Sequence, residues 1–303
     1  MNTERIIELA LGAATEVGDV ISMWERNFEE NVAAAAKEIV SGESVHTVAL
    51  SGPSCSGKTT TAGKLEGYLT DSGRRVVPVS IDDFYFDRDM LLDRKQVPDY
   101  ESPSALDLET FERFTSDLFC GREASLPIYD FKKCRRDGFR TIVPQENDVY
   151  IFEGIQAMYP EIYKSFDPAA TRRVFINVAS SVNADGTLFL PDEIRLVRRL
   201  LRDYKFRSSN GEFTLRLWDG VRINEEANIF PPSADAEITI DSTVPYDLYV
   251  MCPEVCDILH GVDLYSSEYP AAKHILEKLE SIAPYAISPS LVPGNSVIRE
   301  FIG

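Results

Sequence analysis

Basic residues are in short supply in this chain: 31 Lys and Arg stand against 49 Asp and Glu, a formal net charge of −18 over 303 residues. That deficit argues against a nucleic-acid binder, which needs a basic face to displace counterions. No apolar run approaches the ~20 residues that a membrane span requires. The start, MNTERIIELALG, lacks a basic flank, an apolar stretch and a small-residue cleavage site, so it does not read as a secretory signal. A cytoplasmic location is the expectation. The five cysteines (Cys55, Cys120, Cys134, Cys252, Cys256) are scattered, and no second Cys or His pair joins Cys252 and Cys256 at zinc-ligand spacing. Reduced thiols follow. Histidine is scarcer still, with only His46, His260 and His274, so proton transfer falls to carboxylates.

What is present is an ordinary globular composition, 44% hydrophobic and 26% charged, long enough for one large α/β unit with embellishments. Residues 1–44 read as a helical extension, with Phe28, Val32, Ala35, Ala36 and Ile39 at helical spacing and Ser41-Gly42 as a stop. From Val45 to the C-terminus short apolar strands alternate with helices. Strands are expected at 45–50, 76–80, 149–154, 174–178 and 236–241, and helices at 59–71, 106–119 and 192–205. This pattern implies a parallel sheet covered by helices on both faces, with its ligand crevice at the carboxyl ends of the strands. Residues 84–148 are too long for a simple crossover. Within them LPIYDF and FRTIV, separated by KKCRRDG, read as a projecting hairpin.

The strand VHTVAL runs into Gly52-Pro53-Ser54-Cys55-Ser56-Gly57-Lys58-Thr59-Thr60, a G-x-x-x-x-G-K-[ST] loop in its required strand–loop–helix setting. Glycines let the backbone curl so that successive N–H groups point at phosphate oxygens, and the helix N-terminus adds positive potential. Lys58 is placed to bridge the β- and γ-phosphates of ATP and the Thr59 hydroxyl to ligate Mg²⁺. The second strand delivers Asp82 and Asp83 to the same edge. Asp82 is the expected base for an acceptor hydroxyl and Asp83 the alternative. The third strand ends in Glu153, where a carboxylate can organise the metal's surroundings or cap a helix. Arg195, Arg198, Arg199 and Arg202 share one helical face. Such a stripe is either a solvated face or a lid that clamps phosphates bidentately.

Together SGPSCSGKTTTAGKL, VSIDDFY, LPIYDF, VYIFEGIQAMYP and RLVRRLLRDYKFR resemble the uridine kinase / phosphoribulokinase family of P-loop kinases. The long bacterial uridine-kinase-like proteins also share WDGVRINEEANIFP (218–231) and NSVIREFIG (295–303). The resemblance implies an ATP- and Mg²⁺-dependent kinase acting on a hydroxyl of a small metabolite, a nucleoside or another polyol, with a nucleoside first. The alternatives are a kinase of a non-nucleoside sugar or acid metabolite, or a nucleotide-binding regulatory protein whose acceptor site has decayed. It implies an acceptor-binding insertion at 84–148 and an arginine-rich lid at 192–215. Asp82 would be the base, with Arg199 and Arg202 in the lid and Arg207 at the nucleotide. Tyr85, Glu101, Tyr129, Phe131 and Arg136 would line the acceptor, Glu101 holding ribose hydroxyls. Cys134 and Ser102 replace two histidines of pyrimidine-specific members, and Lys205-Phe206-Arg207-Ser208 replaces the lid's Glu-Arg-Gly-Arg. The phosphoryl-transfer residues therefore carry over and the pyrimidine-reading residues do not. A homo-oligomer stays open.

Overall fold

A computed structural model describes residues 5–13, 16–42, 44–92 and 100–303. Residues 1–4, 14–15 and 43 of the expected N-terminal extension, and 93–99 of the expected acceptor insertion, lie outside the described residues.

The N-terminal extension is not helical throughout. Ile6–Leu9 form a strand, β1, with Ile7 and Leu9 inward and their neighbours outward, the period-2 alternation of a half-buried strand. Helix α1 occupies Val17–Ser41 and buries Phe28, Val32, Ala35, Ala36 and Ile39, the face that the helical spacing marks out.

The central sheet holds β2 (Thr47–Ser51), β3 (Arg75–Ser80), β6 (Asp148–Glu153), β7 (Thr171–Asn177) and β10 (Ile238–Asp241), in the order β10-β7-β2-β6-β3, all parallel. Between β3 and β6 in sequence lies an antiparallel hairpin of β4 (Ala124–Asp130) and β5 (Arg135–Ile142). Its turn is Phe131–Cys134, so Arg135 to Gly138 belong to the second strand and not to the connection. Both faces of the central sheet are covered. Val48, Leu50, Ile151, Val174 and Ile176 join one buried cluster, while Ala49, Val77, Val79, Tyr150 and Phe152 join another. Neighbouring residues of one strand serve opposite cores, which is why these strands read as continuous apolar runs. Each fully buried Val, Leu, Ile or Phe contributes roughly 1.5–3 kcal/mol.

A second sheet escapes the strand pattern read from sequence. β8 (Ser181–Ala184) pairs parallel with β1 and antiparallel with β9 (Thr187–Phe189). Asp185 and Gly186 both have positive φ, 45° and 88°, as a two-residue hairpin turn requires. The Asp185 carboxylate then accepts the N–H groups of Leu11 and Gly12 and the Tyr249 hydroxyl, fixing the N-terminal segment to the body.

The remaining long helices are α2 (Lys58–Asp71), α3 (Leu108–Phe119), α4 (Pro191–Phe206), α5 (Gly211–Asn224), α6 (Asp247–His260) and α7 (Tyr269–Ile282). The sheet order matters for the site. β6 lies between β2 and β3, and Glu153 stands in register with Leu50 on one side and Ser80 on the other. The segments leaving these three strands therefore converge at one edge.

Candidate functional site

Ser51 ends β2, and the loop after it curls as its glycines allow. A Cβ on Gly52 would sit 2.0 Å from the Ile176 carbonyl oxygen and 2.8 Å from Ser56 Oγ. Gly57, at φ 87°, has a backbone conformation that L side chains rarely adopt, and a Cβ there would meet Val297 Cγ2 at 2.5 Å. Cys55 also lies in the left-handed region, at φ 60°. Thr59 is exposed at the start of α2. Ser56 Oγ is buried and has no hydrogen-bond partner among the described residues, an orphaned donor inside an anion-shaped turn. These features fit a nucleotide polyphosphate. Lys58 Nζ donates to the Pro53 carbonyl at 3.0 Å, folded back over the loop.

Asp82 follows β3 in a short 3-10 turn, Ile81–Phe84. Burial pushes its carboxyl upward, opposed by Lys58, Arg207 and Arg202. Asp83 serves a structural contact instead, its Oδ1 accepting the Tyr129 N–H at 3.0 Å and so tying the turn to β4. Glu153 is pushed up to about 7 by burial and by Asp82, with Lys58 pulling the other way. Ser80 Oγ donates to it at 3.3 Å. Among the described residues no group of three or more His, Cys, Asp or Glu forms a metal cage. Mg²⁺ needs none, since it commonly binds one or two carboxylates and takes the rest of its shell from phosphates and water. Burial and the neighbouring Asp82 raise Glu153, an environment that a divalent cation offsets, so Glu153 fits such an ion.

The arginine stripe is neither a solvated face nor, for its first half, a lid. Arg195 and Arg198 are 1% and 0% exposed. Arg195 grips Glu225 with both Nη atoms and donates to the Ser54 carbonyl at 3.2 Å. Arg198 pairs with Asp247 at 2.7 Å and donates to the carbonyls of Cys55 (3.3 Å) and Ser242 (2.9 Å). These two guanidiniums hold the loop backbone from behind. Arg199 donates to Ser54 Oγ at 3.0 Å and lies 3.8 Å from Glu101. Its plane stacks near Trp218 of the 218–231 motif, 5.9 Å from the ring centre. Arg202 chelates Asp203 Oδ1 at 2.7 and 2.9 Å. Asp203 also faces Arg199 (3.4 Å) and Arg207 (3.7 Å), and against the raising effect of burial Arg202, Arg199 and Arg207 hold its carboxyl below the usual range. Arg207 is exposed and lies 6.0 Å from the Phe131 ring centre.

On the acceptor side, Glu101 lies between Arg199 and Tyr159, whose hydroxyl donates to the Glu101 carbonyl. Its Oε2 is buried with no hydrogen-bond partner among the described residues, and burial raises its carboxyl. Tyr85 is buried, donates to the Tyr100 carbonyl and accepts from Gln156 Nε2, both at 2.9 Å. Gln156 Oε1 is a second buried acceptor with no hydrogen-bond partner among the described residues. The Tyr129 and Tyr100 hydroxyls stand 3.3 Å apart. Phe131 is half exposed. Arg136 is engaged elsewhere, its Nη2 donating to Asp107 at the start of α3 at 3.1 Å. Cys134 closes the hairpin turn at φ 51° and donates to the Phe131 carbonyl.

Sequence reasoning missed Gln156, Asp203, Glu225, Asp247 and Glu300. Asp203 carries a local signal, four residues after Arg199 and four before Arg207. The others meet the site only through the fold.

Residues 47–248 match the Phosphoribulokinase / Uridine kinase family. Uridine-cytidine kinase C of Dictyostelium discoideum is 28% identical over 198 residues, 65% of this chain and 39% of that protein. Uridine kinase of Ureaplasma urealyticum is 28% identical over 173 residues, 56% of this chain and 75% of that one. The chain thus spans about two fifths of the Dictyostelium relative's length. A solved structure of a possible uridine kinase from Bacillus stearothermophilus aligns at TM-score 0.48 and 19% identity, over 70% of this chain and 98% of that one.

Proposed function

We propose a reaction for this chain on one premise: it belongs to the phosphoribulokinase / uridine kinase family. The reading is that ATP gives its γ-phosphoryl group to a hydroxyl of a neutral polyol, a nucleoside or a sugar. The observation that carries it is the meeting of the phosphate loop, Asp82 and Glu101, which Arg199 links to Ser54 of the loop and whose Oε2 has no hydrogen-bond partner among the described residues.

In this reading the loop N–H groups and Lys58 hold the phosphates, and Ser56 Oγ finds there the partner it lacks among the described residues. Asp82 accepts the proton of the attacking hydroxyl. Burial makes its carboxylate a stronger base than a solvated one, and Lys58 and Arg207 oppose that rise. Thr59 and Glu153 would hold Mg²⁺, which when bound neutralises charge on the phosphates. Arg199 and Arg202, fixed by Asp203, add positive charge beside the loop. Arg195 and Arg198 act at one remove, by holding the loop's shape.

The acceptor follows from what is left unmet. Glu101 Oε2 and Gln156 Oε1 are both acceptors, so the bound molecule must bring donors. Hydroxyls supply them, whereas a carboxylate at that position would face Glu101. Cys134, where pyrimidine-specific members carry histidine, offers a weak partner for a base edge and favours recognition through hydroxyls.

The test is phosphate transfer from ATP across a panel of nucleosides, free sugars and hydroxy acids, followed by product identification. Stoichiometric phospho-product from a neutral polyol supports the reading. Turnover confined to hydroxy acids sinks the acceptor assignment, and nucleotide binding without turnover on any acceptor leaves a regulatory protein instead. Asp82→Asn should lower turnover on the correct acceptor by roughly 10²–10⁴-fold while leaving ATP binding near wild type.

A further inference from the structure

The C-terminal segment, outside the residues that match the family, places a carboxylate on the phosphate loop. Glu300 Oε2 accepts the Thr60 N–H at 3.3 Å and the Thr60 hydroxyl at 3.1 Å. Thr60 is the third residue of α2, so its N–H has no carbonyl partner inside the helix. Such donors are what a helix N-terminus offers an anion. Glu300 also lies close enough to Glu153 and Arg202 to raise the pKa of both.

The backbone that carries Glu300 is fixed. Val297, Ile298, Phe301 and Ile302 are buried. Phe301 lies under the Arg198 guanidinium at 5.2 Å, Lys205 donates to the Ile302 carbonyl, and Arg299 donates to the carbonyls of Pro289, Pro293 and Gly303. The Glu300 side chain itself is only half-buried. It can rotate off Thr60, but its backbone cannot carry it far away.

We propose that Glu300 is a nucleotide-affinity determinant: its carboxylate competes with a nucleotide phosphate for the Thr60 donors, so the C-terminal segment sets how tightly the phosphate loop holds its ligand. A phosphate that takes those donors displaces the carboxylate and then has it as a like-charged neighbour. Affinity is lower by both effects. The proposal rests on nucleotide binding at the phosphate loop, as in the reading above.

The test is calorimetric titration of ATP and ADP, with and without Mg²⁺, into wild-type protein, Glu300→Gln and Glu300→Ala. Circular dichroism and thermal melting establish that each variant is folded. A charge at a helix N-terminus of this kind corresponds to roughly a three- to thirtyfold change in affinity. Both variants should bind more tightly by that factor, without Mg²⁺ above all. Unchanged or weaker binding in a folded variant overturns the proposal, because it makes Glu300 a structural cap or a helper of the cation. Wild-type protein that binds no ATP overturns the proposed function and this inference with it. Wild-type binding without tightening in the variants overturns the inference alone.

Discussion

Replacing Arg198 with methionine distinguishes a guanidinium that supports the loop from one that touches phosphate. Arg198 and Asp247 are 0% and 1% exposed and pair at 2.7 Å. Burial drives the Asp247 carboxyl upward and Arg198 offsets that rise. Removing the arginine strands the carboxylate in the interior, a change that costs about 3–5 kcal/mol. Two buried carbonyls, of Cys55 and Ser242, lose a donor as well, adding about 1 kcal/mol each. The expected loss, about 5–7 kcal/mol, is comparable to the whole stability of many domains. Adding Asp247→Asn removes the stranded charge. The double variant should recover most of the loss and remain about 2 kcal/mol below wild type. Urea unfolding followed by tryptophan fluorescence measures both. A single variant within about 1 kcal/mol of wild type would refute the reasoning, and so would a double variant no more stable than the single one.

Further outcomes follow from individual contacts. Gly52→Ala should abolish nucleotide binding and lower the melting temperature, because the added Cβ would meet a backbone oxygen at 2.0 Å. Gly63→Ala, in the exposed middle of α2 with nothing within 4 Å of its Cβ, should instead stabilise by up to about 1 kcal/mol; both are read by thermal melting. Gln156→Leu removes an acceptor beside Tyr85 that has no hydrogen-bond partner among the described residues and should raise KM for the acceptor about tenfold in steady-state assays, with little change for ATP. Glu193, held below the usual carboxylate range by the Leu190 N–H, Lys278 and His274 against the opposing effect of burial, contributes stability above its unfolded pKa. That contribution disappears as pH falls through its lower folded value. Glu193→Gln should therefore cost about 1–2 kcal/mol at pH 7 and nearly nothing at pH 2, by urea unfolding at each pH.

The arginine helix shows where local reading stops. The spacing of Arg195, Arg198, Arg199 and Arg202 predicts a helix and one shared face, and both are present in α4. Whether that face meets water, phosphate or protein depends on Glu225 and Asp247, which arrive from two later segments. The strand β1 is a similar case. Its residues IIEL suit a helix or a short strand, and only the edge offered by β8 selects the strand. The β8–β9 turn did carry a signal, Asp-Gly between short alternating stretches, that a reading of longer apolar runs passes over.

The phosphate loop, the acid that follows β3 and the one that ends β6, and the central strands are all legible in the chain because their causes are local. A glycine's φ, a helix start or an apolar run is set by residues within a few positions. What the sequence leaves undecided is pairing at long range. Thr60 and Glu300 are 240 positions apart, and Arg198 and Asp247 are 49 apart. No spacing rule links such residues. Arg198 and Asp247 become buried partners, and Glu300 reaches Thr60, only when α4, α6 and the C-terminal segment pack together and exclude water.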